Sequence, residues 1–300
     1  MTKPIYCPID NESATFLFRK WSFSHYRCDT CGLRFVWPLP EPEIIRSVYG
    51  EGYRPDPHKP DYQAEGRAYA QTSRENLLID LPNGFATSGL RLLDVGCGFG
   101  FFLEAVRQDF RHVCGVEISE PQRVLALETL GLKVPKGDAT SIPFGDESVD
   151  VVTILDVLEH LPNPRAGLQE AKRVLTPGGL LVIATPNPES MTARILGQRW
   201  IYYTPPEHLH LFPPRSLVSF VEKEGFEVLR VRTESLLLHH LLEAWRGPKT
   251  ERAAIRRSDA RISRAIRRRR LLKAVKDTIN AVLAHWHVGD KLRIIAQKRP

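Results

Sequence analysis

A seven-residue glycine-rich turn constrains the fold of this chain more than any other stretch. It runs from Asp94 to Gly100 and reads Asp-Val-Gly-Cys-Gly-Phe-Gly. The apolar run before it predicts a short buried strand, and residues 101–106 read as the start of a helix. A strand, a glycine turn and a helix N-terminus form the ligand crevice at the carboxyl end of a parallel sheet. Glycines let the backbone approach a ligand there, and the helix N-terminus presents free N–H groups.

The acidic residues around this turn indicate what the crevice binds. The glycines follow the spacing G-x-G-x-G, whereas pyrophosphate binders use G-x-G-x-x-G. Asp94 would repel a diphosphate but suits an ammonium group. Glu117 ends a second apolar run about twenty residues after the first glycine, where an acidic side chain grips ribose hydroxyls. A nucleoside that carries a cationic amino acid satisfies both observations, and S-adenosylmethionine is such a molecule.

These motifs resemble those of the class I S-adenosylmethionine-dependent methyltransferases. The resemblance continues through Gly137-Asp138-Ala139, 144–152, Leu158-Glu159-His160-Leu161 and 173–179, and covers about 90–233. It implies that Asp138 meets the adenine amine. Cys97 is interpreted as a small filler of the turn and not as a nucleophile. The predicted cofactor contacts are Asp94, Gly96, Cys97, Gly98, Gly100, Glu117, Ile118, Asp138, Ala139 and Asp156.

Beyond the turn, strand-like and helical segments alternate, which predicts an α/β fold with a Rossmann-like doubly wound sheet. The resemblance implies seven strands, the last of them antiparallel. The predicted strands are 90–94, 113–117, a short one near Lys133, 149–155, 180–184, 228–233 and 292–297. The predicted domains are a zinc-ribbon-like extension (1–53), a linker with a cleft-covering helix (54–89), the methyltransferase core (90–235), a basic helical insertion (236–289) and the last core strand (290–300).

The N-terminal extension contains a pattern typical of a small zinc site. Cys7 and Asp10 form one knuckle and Cys28 and Cys31 the other, with the spacing of a zinc ribbon. Three thiolates and one carboxylate can make a tetrahedral site, and His25 competes with Asp10 as the fourth ligand. A metal-free ribbon held by its aromatic residues is the alternative. The extension resembles the entry segment of zinc-bearing methyltransferases of sugar and natural-product pathways.

The segment after the fourth core strand carries the first candidate catalytic residues. Asp156, Glu159 and His160 follow the spacing D-x-x-E-H, which places two carboxylates and an imidazole on neighbouring helical turns. The motif resembles the E-x-x-E-H of ubiquinone-biosynthesis O-methyltransferases, where the three groups hold a divalent metal. Three interpretations stay open: a metal site, His160 as a base or as a group that positions the acceptor, and a structural His160.

The loop after the fifth strand is long, aromatic and rich in histidine, and such loops lie over the ligand end of an open sheet. The sequence from Trp200 to Phe212 resembles that of glycan, glycolipid and quinone methyltransferases. Trp200, Tyr202 and Tyr203 are predicted to stack on the acceptor, and His208 and His210 are further candidate bases. The alternative is that the loop packs on the following helix, and Leu209, Leu211 and Phe212 are assigned to that packing.

The C-terminal segment is strongly basic. It has 17 Lys and Arg against five Asp and Glu from Glu243 onward, while the 300-residue chain carries +7. Apolar residues recur there at helical spacing, which suits an anionic membrane surface, a helical arm packed on protein or, least favoured, nucleic acid. The N-terminus lacks a signal-peptide core and no stretch of about twenty apolar residues occurs, so we expect a cytoplasmic protein that can contact the inner membrane surface peripherally.

We therefore predict an S-adenosylmethionine-dependent methyltransferase with a structural Zn²⁺. Its site must supply in-line geometry and a base for an oxygen acceptor. The predicted acceptor is a small molecule, a sugar or a lipid-linked glycan. An RNA methyltransferase, whose basic tail would grip phosphates, is one alternative. A non-catalytic ligand-binding scaffold is the other, and the intact glycine turn with Glu117 and Asp138 argues against it.

Overall fold

The computed structural model describes residues 4–49, 60–82, 85–234 and 288–299. Two sheets organise these residues. The larger one contains β4 (Arg91–Val95), β5 (His112–Val116), β6 (Val149–Leu155), β7 (Leu175–Pro186), β9 (Phe226–Glu234) and β10 (Lys291–Lys298). The smaller one contains β1 (Ala14–Lys20), β2 (Phe23–Cys28), β3 (Arg34–Val36) and β8 (His210–Leu211).

The strands of the larger sheet follow the order β5-β4-β6-β7-β10-β9. The first four are parallel to one another, and β10 is antiparallel to both of its neighbours. The predicted antiparallel last strand is therefore confirmed. The inner strands β6 and β7 are buried along most of their length. Their runs of valine, isoleucine and leucine suit this position, because helices cover both faces of a parallel sheet.

The predicted short strand near Lys133 is not formed as a strand. Beyond β5, the described chain makes only an isolated parallel bridge between Glu117 and Lys136. The two backbone bonds that flank this bridge are long, at 3.4 Å each, and Pro135 has no N–H to extend a ladder. In the part of the chain that the structure describes, the central sheet therefore has six strands and not seven.

Seven α-helices lie in the described residues. They are α1 (Pro42–Tyr49), α2 (Pro60–Asp80), α3 (Phe101–Val106), α4 (Glu120–Leu130), α5 (Pro164–Val174), α6 (Met191–Leu196) and α7 (Pro214–Lys223). α5 begins where the sequence predicts, because Pro164 follows Asn163, whose side chain accepts a 3.2 Å bond from the Ala166 N–H. α2 lies in the segment predicted to hold a cleft-covering helix, and two 2.6 Å hydrogen bonds from Arg74 to Asp109 fix it against the segment that follows α3.

The smaller sheet combines two distant parts of the chain. β3 pairs with β8, which belongs to the aromatic loop between α6 and α7. Ribbon residues such as Leu33 and Phe35 are buried in the same apolar cluster as Phe212 and Phe220 of the core. The N-terminal residues therefore complete both their sheet and their apolar core with residues of the methyltransferase-like region.

Two predicted segments fall largely outside the described residues. These are the basic helical insertion, of which only residues 288 and 289 are described, and most of the linker before α2. Among the helices that the structure does describe, none combines the length and the apolar character needed to cross a bilayer.

Candidate active site

The glycine turn connects β4 to α3 at the carboxyl edge of the large sheet. Gly96, Gly98 and Gly100 have positive φ values of 74°, 55° and 78°. A Cβ at Gly96 would lie 2.5 Å from Cγ2 of Val157, and one at Gly98 would lie 2.9 Å from Oε1 of Gln122. Conformation and space therefore both require glycine, and the backbone itself forms the surface that a ligand meets.

The structure brings the two predicted acids together at this turn. The Glu117 carboxylate accepts a 2.9 Å bond from the Gly98 N–H and a 2.8 Å bond from the Ser119 N–H. Asp94 lies in β4, where its Oδ1 accepts a 2.6 Å bond from the Thr153 hydroxyl. Both carboxylates are buried. The turn is thus anchored on Glu117, and Asp94 lies near enough for the charge of Glu117 to act on it.

Burial makes these carboxylates unusually weak acids. It raises the pKa of Asp94 to about 7, the Thr153 bond opposes the rise, and the charge of Glu117 adds to it. Burial also raises the pKa of Glu117, against the bonds from Ser119 and Gly98. A ligand cation beside Asp94 would favour its ionised form. The electrostatics of the crevice therefore suit a ligand with a positive charge and hydroxyl groups better than a phosphate.

The remaining predicted cofactor residues follow the same edge of the sheet. Cys97 is a buried filler, since a Cβ at Gly115 would lie 2.6 Å from its Sγ, and burial raises the pKa of its thiol. Ile118 follows Glu117 with an exposed side chain. Asp138 lies beyond the bridge of Glu117 to Lys136, and its Oδ1 accepts 2.6 Å bonds from both Thr140 donors. The buried Ala139 comes next in the chain.

Asp156 makes contacts that its predicted cofactor role did not include. It follows β6 with a positive φ of 57°, and its carboxylate accepts hydrogen bonds from Tyr69 of α2 and from Lys291 of β10. Burial opposes ionisation of both Asp156 and Lys291. The attraction between their charges nevertheless lowers the pKa of Asp156 and raises that of Lys291. Tyr69 and Lys291 were not among the predicted site residues, because nothing at their positions in the sequence indicates a contact with Asp156.

Three of the predicted catalytic residues form one cluster. Ligand-type atoms of Glu159, His160 and His208 lie within 4.8 Å of one another, and the two imidazole centroids are 4.8 Å apart. The Nδ1–H of His160 donates to the Glu207 carbonyl at 2.8 Å, and that of His208 donates to the Tyr202 carbonyl at 2.7 Å. A carbonyl can only accept, so in both rings it is Nδ1 that carries the donated proton.

The surroundings of this cluster favour neutral groups. Burial lowers the pKa of His208 to about 3 and raises that of Glu159. One Glu159 oxygen accepts a 3.0 Å bond from Thr185, while the other is buried without a hydrogen-bond partner among the described residues. The cluster differs from the D-x-x-E-H metal set because Asp156 turns to Lys291 and Tyr69, and His208 takes its place.

The structure corrects three of the predicted acceptor contacts. Trp200 and Tyr203 are almost fully buried and pack with Phe18 of β1, and Arg34 donates a 2.6 Å hydrogen bond to the Tyr203 hydroxyl. His210 is buried in β8, opposite Phe35. These side chains join the small sheet to the core. Of the predicted loop residues, His208 belongs to the imidazole cluster, and the Tyr202 ring stacks on the His208 ring with the centroids 5.7 Å apart.

A second group of ligand-type side chains lies in the ribbon. The ligand atoms of Cys7, Asp10, Cys28 and Cys31 all lie within 4.8 Å of one another. Both Asp10 oxygens are 3.4 Å from the Cys28 sulfur, and contact with Cys7 lowers the pKa of Cys31 to about 6. His25, the competing fourth ligand, instead stacks on Phe18 with the ring centroids 4.7 Å apart.

Fold and site together define a Rossmann-like protein with a nucleoside-type crevice at the ends of β4 and β5. The imidazole cluster lies at the same edge of the sheet, after β6 and β7. Residues 65–231 match the model of the family described as "Methyltransferase domain". The chain belongs to this family.

Comparisons with individual proteins agree with this assignment. A ubiquinone biosynthesis O-methyltransferase of Cereibacter sphaeroides is 31% identical over 159 residues, which are 49% of this chain and 64% of that protein. The match thus spans less than two thirds of that relative. A solved methyltransferase of Thermotoga maritima, described as a possible histamine N-methyltransferase, is 21% identical with a TM-score of 0.52 and covers 80% of this chain and 95% of its own.

The same fold also serves other chemistry. The solved [4+2]-cyclase SpnF is 20% identical with a TM-score of 0.51, and the match covers 76% of this chain and 81% of the cyclase. Likeness at this level shows the fold alone, so the reaction has to be argued from the site.

Proposed function

We propose that this protein transfers a methyl group from S-adenosylmethionine to an oxygen of a small-molecule acceptor. The observation that carries the proposal is the pair of buried carboxylates, Asp94 and Glu117, at a turn that only glycine can form. The imidazole cluster lies at the same edge of the sheet, since His160 follows β6 and Thr185 of β7 contacts Glu159. A donor site and an acceptor site are thereby adjacent.

The residues of the crevice fit the parts of S-adenosylmethionine. Asp94 suits the ammonium group of its amino acid, Glu117 the ribose hydroxyls, and Asp138 with Ile118 the adenine. The fit rests on the raised pKa of Asp94, since a carboxylate left weakly acidic by burial is stabilised by a bound cation. The bound sulfonium supplies an already activated methyl group.

The acceptor side supplies position and a base. His208 stays neutral at ordinary pH because its pKa is lowered to about 3. This makes it too weak a base to remove a proton but lets it accept a hydrogen bond that positions the acceptor hydroxyl. The base in this proposal is His160, whose ring is oriented by its hydrogen bond to the Glu207 carbonyl. General-base assistance of this kind contributes about 10²–10⁴-fold to a rate. Tyr69 of α2 reaches across to Asp156, which favours a cleft that excludes water from the transferred group.

The relatives' names support a hydroxyl acceptor, and sugars or lipid-linked glycans remain acceptors proposed from the sequence. Purified protein would be incubated with methyl-labelled S-adenosylmethionine and fractionated cell extract, with Gly96→Val as the inactive control. Label in a water-soluble small molecule or an extractable lipid supports the proposal. Label in RNA overturns the acceptor class. Absence of label from every fraction, or label that Gly96→Val retains, overturns the proposed activity.

We also propose that Cys7, Asp10, Cys28 and Cys31 hold a structural Zn²⁺. Zinc–sulfur bonds of about 2.3 Å in a tetrahedron place two ligand sulfurs about 3.8 Å apart. The Cys7 and Cys31 sulfurs are separated by 3.8 Å. Metal analysis of the purified protein should give about one zinc per chain, and Asp10→Ala should lower that content while Asp29→Ala, a neighbouring acid outside the cluster, should not.

A further inference from the structure

We infer that the ribbon metal centre holds the acceptor side of the active site in place, so that losing the metal displaces the His160–His208 pair without disturbing the cofactor crevice. The inference rests on the proposed function for the roles of the two histidines and on the proposed zinc site for the metal. The physical connection between them is made by described residues alone.

The connection begins at the second knuckle. Cys28 and Cys31 form a tight turn in which the Cys28 N–H donates to the Leu33 carbonyl at 2.9 Å. β3 follows directly, at Arg34. The Ser216 hydroxyl of α7 donates to the Cys31 sulfur at 3.6 Å. The knuckle therefore leads into β3, the strand that pairs with β8, and contacts α7, the helix that follows β8 in the chain.

The next step passes from the ribbon to the loop. β3 pairs with β8, and the Val36 N–H donates to the Leu209 carbonyl at 3.0 Å. The Leu209 N–H in turn donates to the Glu159 carbonyl at 2.8 Å. A path made of three backbone hydrogen bonds and the chain of β3 therefore runs from the metal knuckle to the residue that precedes His160. Leu209 occupies its centre and is itself the neighbour of His208.

The first knuckle is attached to the core separately. Arg165 of α5 donates a 2.8 Å hydrogen bond to the Ile9 carbonyl, which lies between Cys7 and Asp10, and it forms an ion pair with the buried Glu224. The two knuckles are thus anchored on α5 and α7. A metal ion that joins the knuckles also joins these two anchor points.

The short strands explain why such an anchor is needed. β3 has three residues and β8 two, so their own pairing supplies few hydrogen bonds. The outer side of the ribbon contributes little burial, because Phe16 and Trp21 are exposed. The position of His208 is set by its bond to the Tyr202 carbonyl within this loop. Displacement of a catalytic group by about 1 Å can cost about 10²-fold in rate.

Hydrogen exchange on the full chain tests the inference without relying on activity. Zinc would be removed from the wild-type protein with a strong chelator and then restored. We expect the amides of Val36 and Leu209 to exchange at least about tenfold faster without metal and to recover when zinc is added. The amides of β4 should keep their exchange rates, and the affinity for S-adenosylmethionine should change less than about twofold.

Cys28→Ser gives the matched genetic test, with Cys114→Ser as a control because Cys114 lies in β5, outside the cluster. Only Cys28→Ser should lose zinc and show the faster exchange. Unchanged exchange at Leu209 after complete metal loss would overturn the inference, as would a protein that binds no zinc. If exchange at Leu209 responds but no acceptor is ever methylated, the coupling stands and the proposed function fails.

Discussion

The cofactor side and the acceptor side of the candidate site differ in how far apart their residues lie in the sequence. The bond between Gly98 and Glu117 joins residues 19 positions apart that follow neighbouring parallel strands, β4 and β5. On the acceptor side, Asp156 meets Tyr69 from 87 positions away and Lys291 from 135. The cofactor side is thus built by one strand–turn–helix unit and its neighbour, whereas the acceptor side depends on how α2, β10 and the ribbon pack.

This difference teaches where each function is vulnerable. Damage to the cofactor crevice requires a change in β4, the glycine turn or the end of β5, which are close in the sequence. The acceptor side has contacts to three distant segments, so changes far from the chemistry reach it. The following predictions test that division.

The largest expected effect is at the turn. Gly96→Val forces a branched side chain into a backbone with φ of 74° and against Val157, so binding of S-adenosylmethionine should be abolished. Titration calorimetry measures the affinity, and circular dichroism reports whether the protein remains folded. Gly145→Val is the control, because a Cβ there meets no atom within 4 Å. Retained affinity in a folded Gly96→Val protein would refute the cofactor assignment.

The next effect is on the acceptor side alone. His208→Asn removes the imidazole that positions the acceptor beside His160 and should lower kcat by about 10²-fold, with the affinity for S-adenosylmethionine unchanged. His112→Asn is the control, because His112 is exposed at the start of β5. A matching loss of cofactor affinity in His208→Asn would show that the two sides are not separable.

A pH-dependent effect distinguishes the two sides further. Burial raises the pKa of Asp94 to about 7, so the ionised form that attracts the ligand cation gains population as pH rises through 7. The affinity of the wild-type protein for S-adenosylmethionine should therefore increase about tenfold from pH 6 to pH 8, since the ionised fraction of a group with a pKa of about 7 rises from about one tenth to about nine tenths. Asp94→Asn should bind weakly at both values and show no such trend in calorimetry.

The same group has a consequence for the stability of the ligand-free protein. An acid whose folded pKa is raised favours the folded state below its unfolded pKa of about 4, and this contribution is lost as pH rises to about 7. In the ligand-free state, the stability of Asp94→Asn relative to wild type should therefore be greater at pH 8 than at pH 4. Thermal melts at the two pH values measure this, and a constant difference would contradict the raised pKa.

The smallest expected effect concerns the link between the sides. Tyr69→Phe removes the hydrogen bond from α2 to Asp156, while Lys291 still pairs with that carboxylate. A hydrogen bond to a charged group contributes about 1.5–3 kcal/mol, and the lower value applies to this solvent-exposed bond, so kcat/KM should fall about tenfold. Tyr6→Phe, at an exposed position in the ribbon, is the control. An unchanged kcat/KM would show that α2 does not participate in the acceptor side.

The sequence predicted most of the large sheet and all of the glycine turn. β4, β5, β6, β7 and β10 lie where apolar runs indicated. The strand near Lys133 was wrong because Pro135 and two long bonds limit it to a bridge. Trp200 and Tyr203 were misinterpreted because an aromatic residue in a loop can face either a ligand or a core, and only packing decides which.

What the sequence determined by itself is local. A few neighbouring residues define each of three features, namely glycines with positive φ, acids at strand ends and cysteine knuckles. The sequence therefore predicted the candidate donor crevice and grouped the ribbon ligands. The tertiary structure alone decided that β8 completes the ribbon sheet, that Asp156 turns to Lys291, and that His208 joins His160. These contacts depend on segments packed from opposite ends of the chain, and side-chain periodicity along one segment carries no information about which distant segment will cover it.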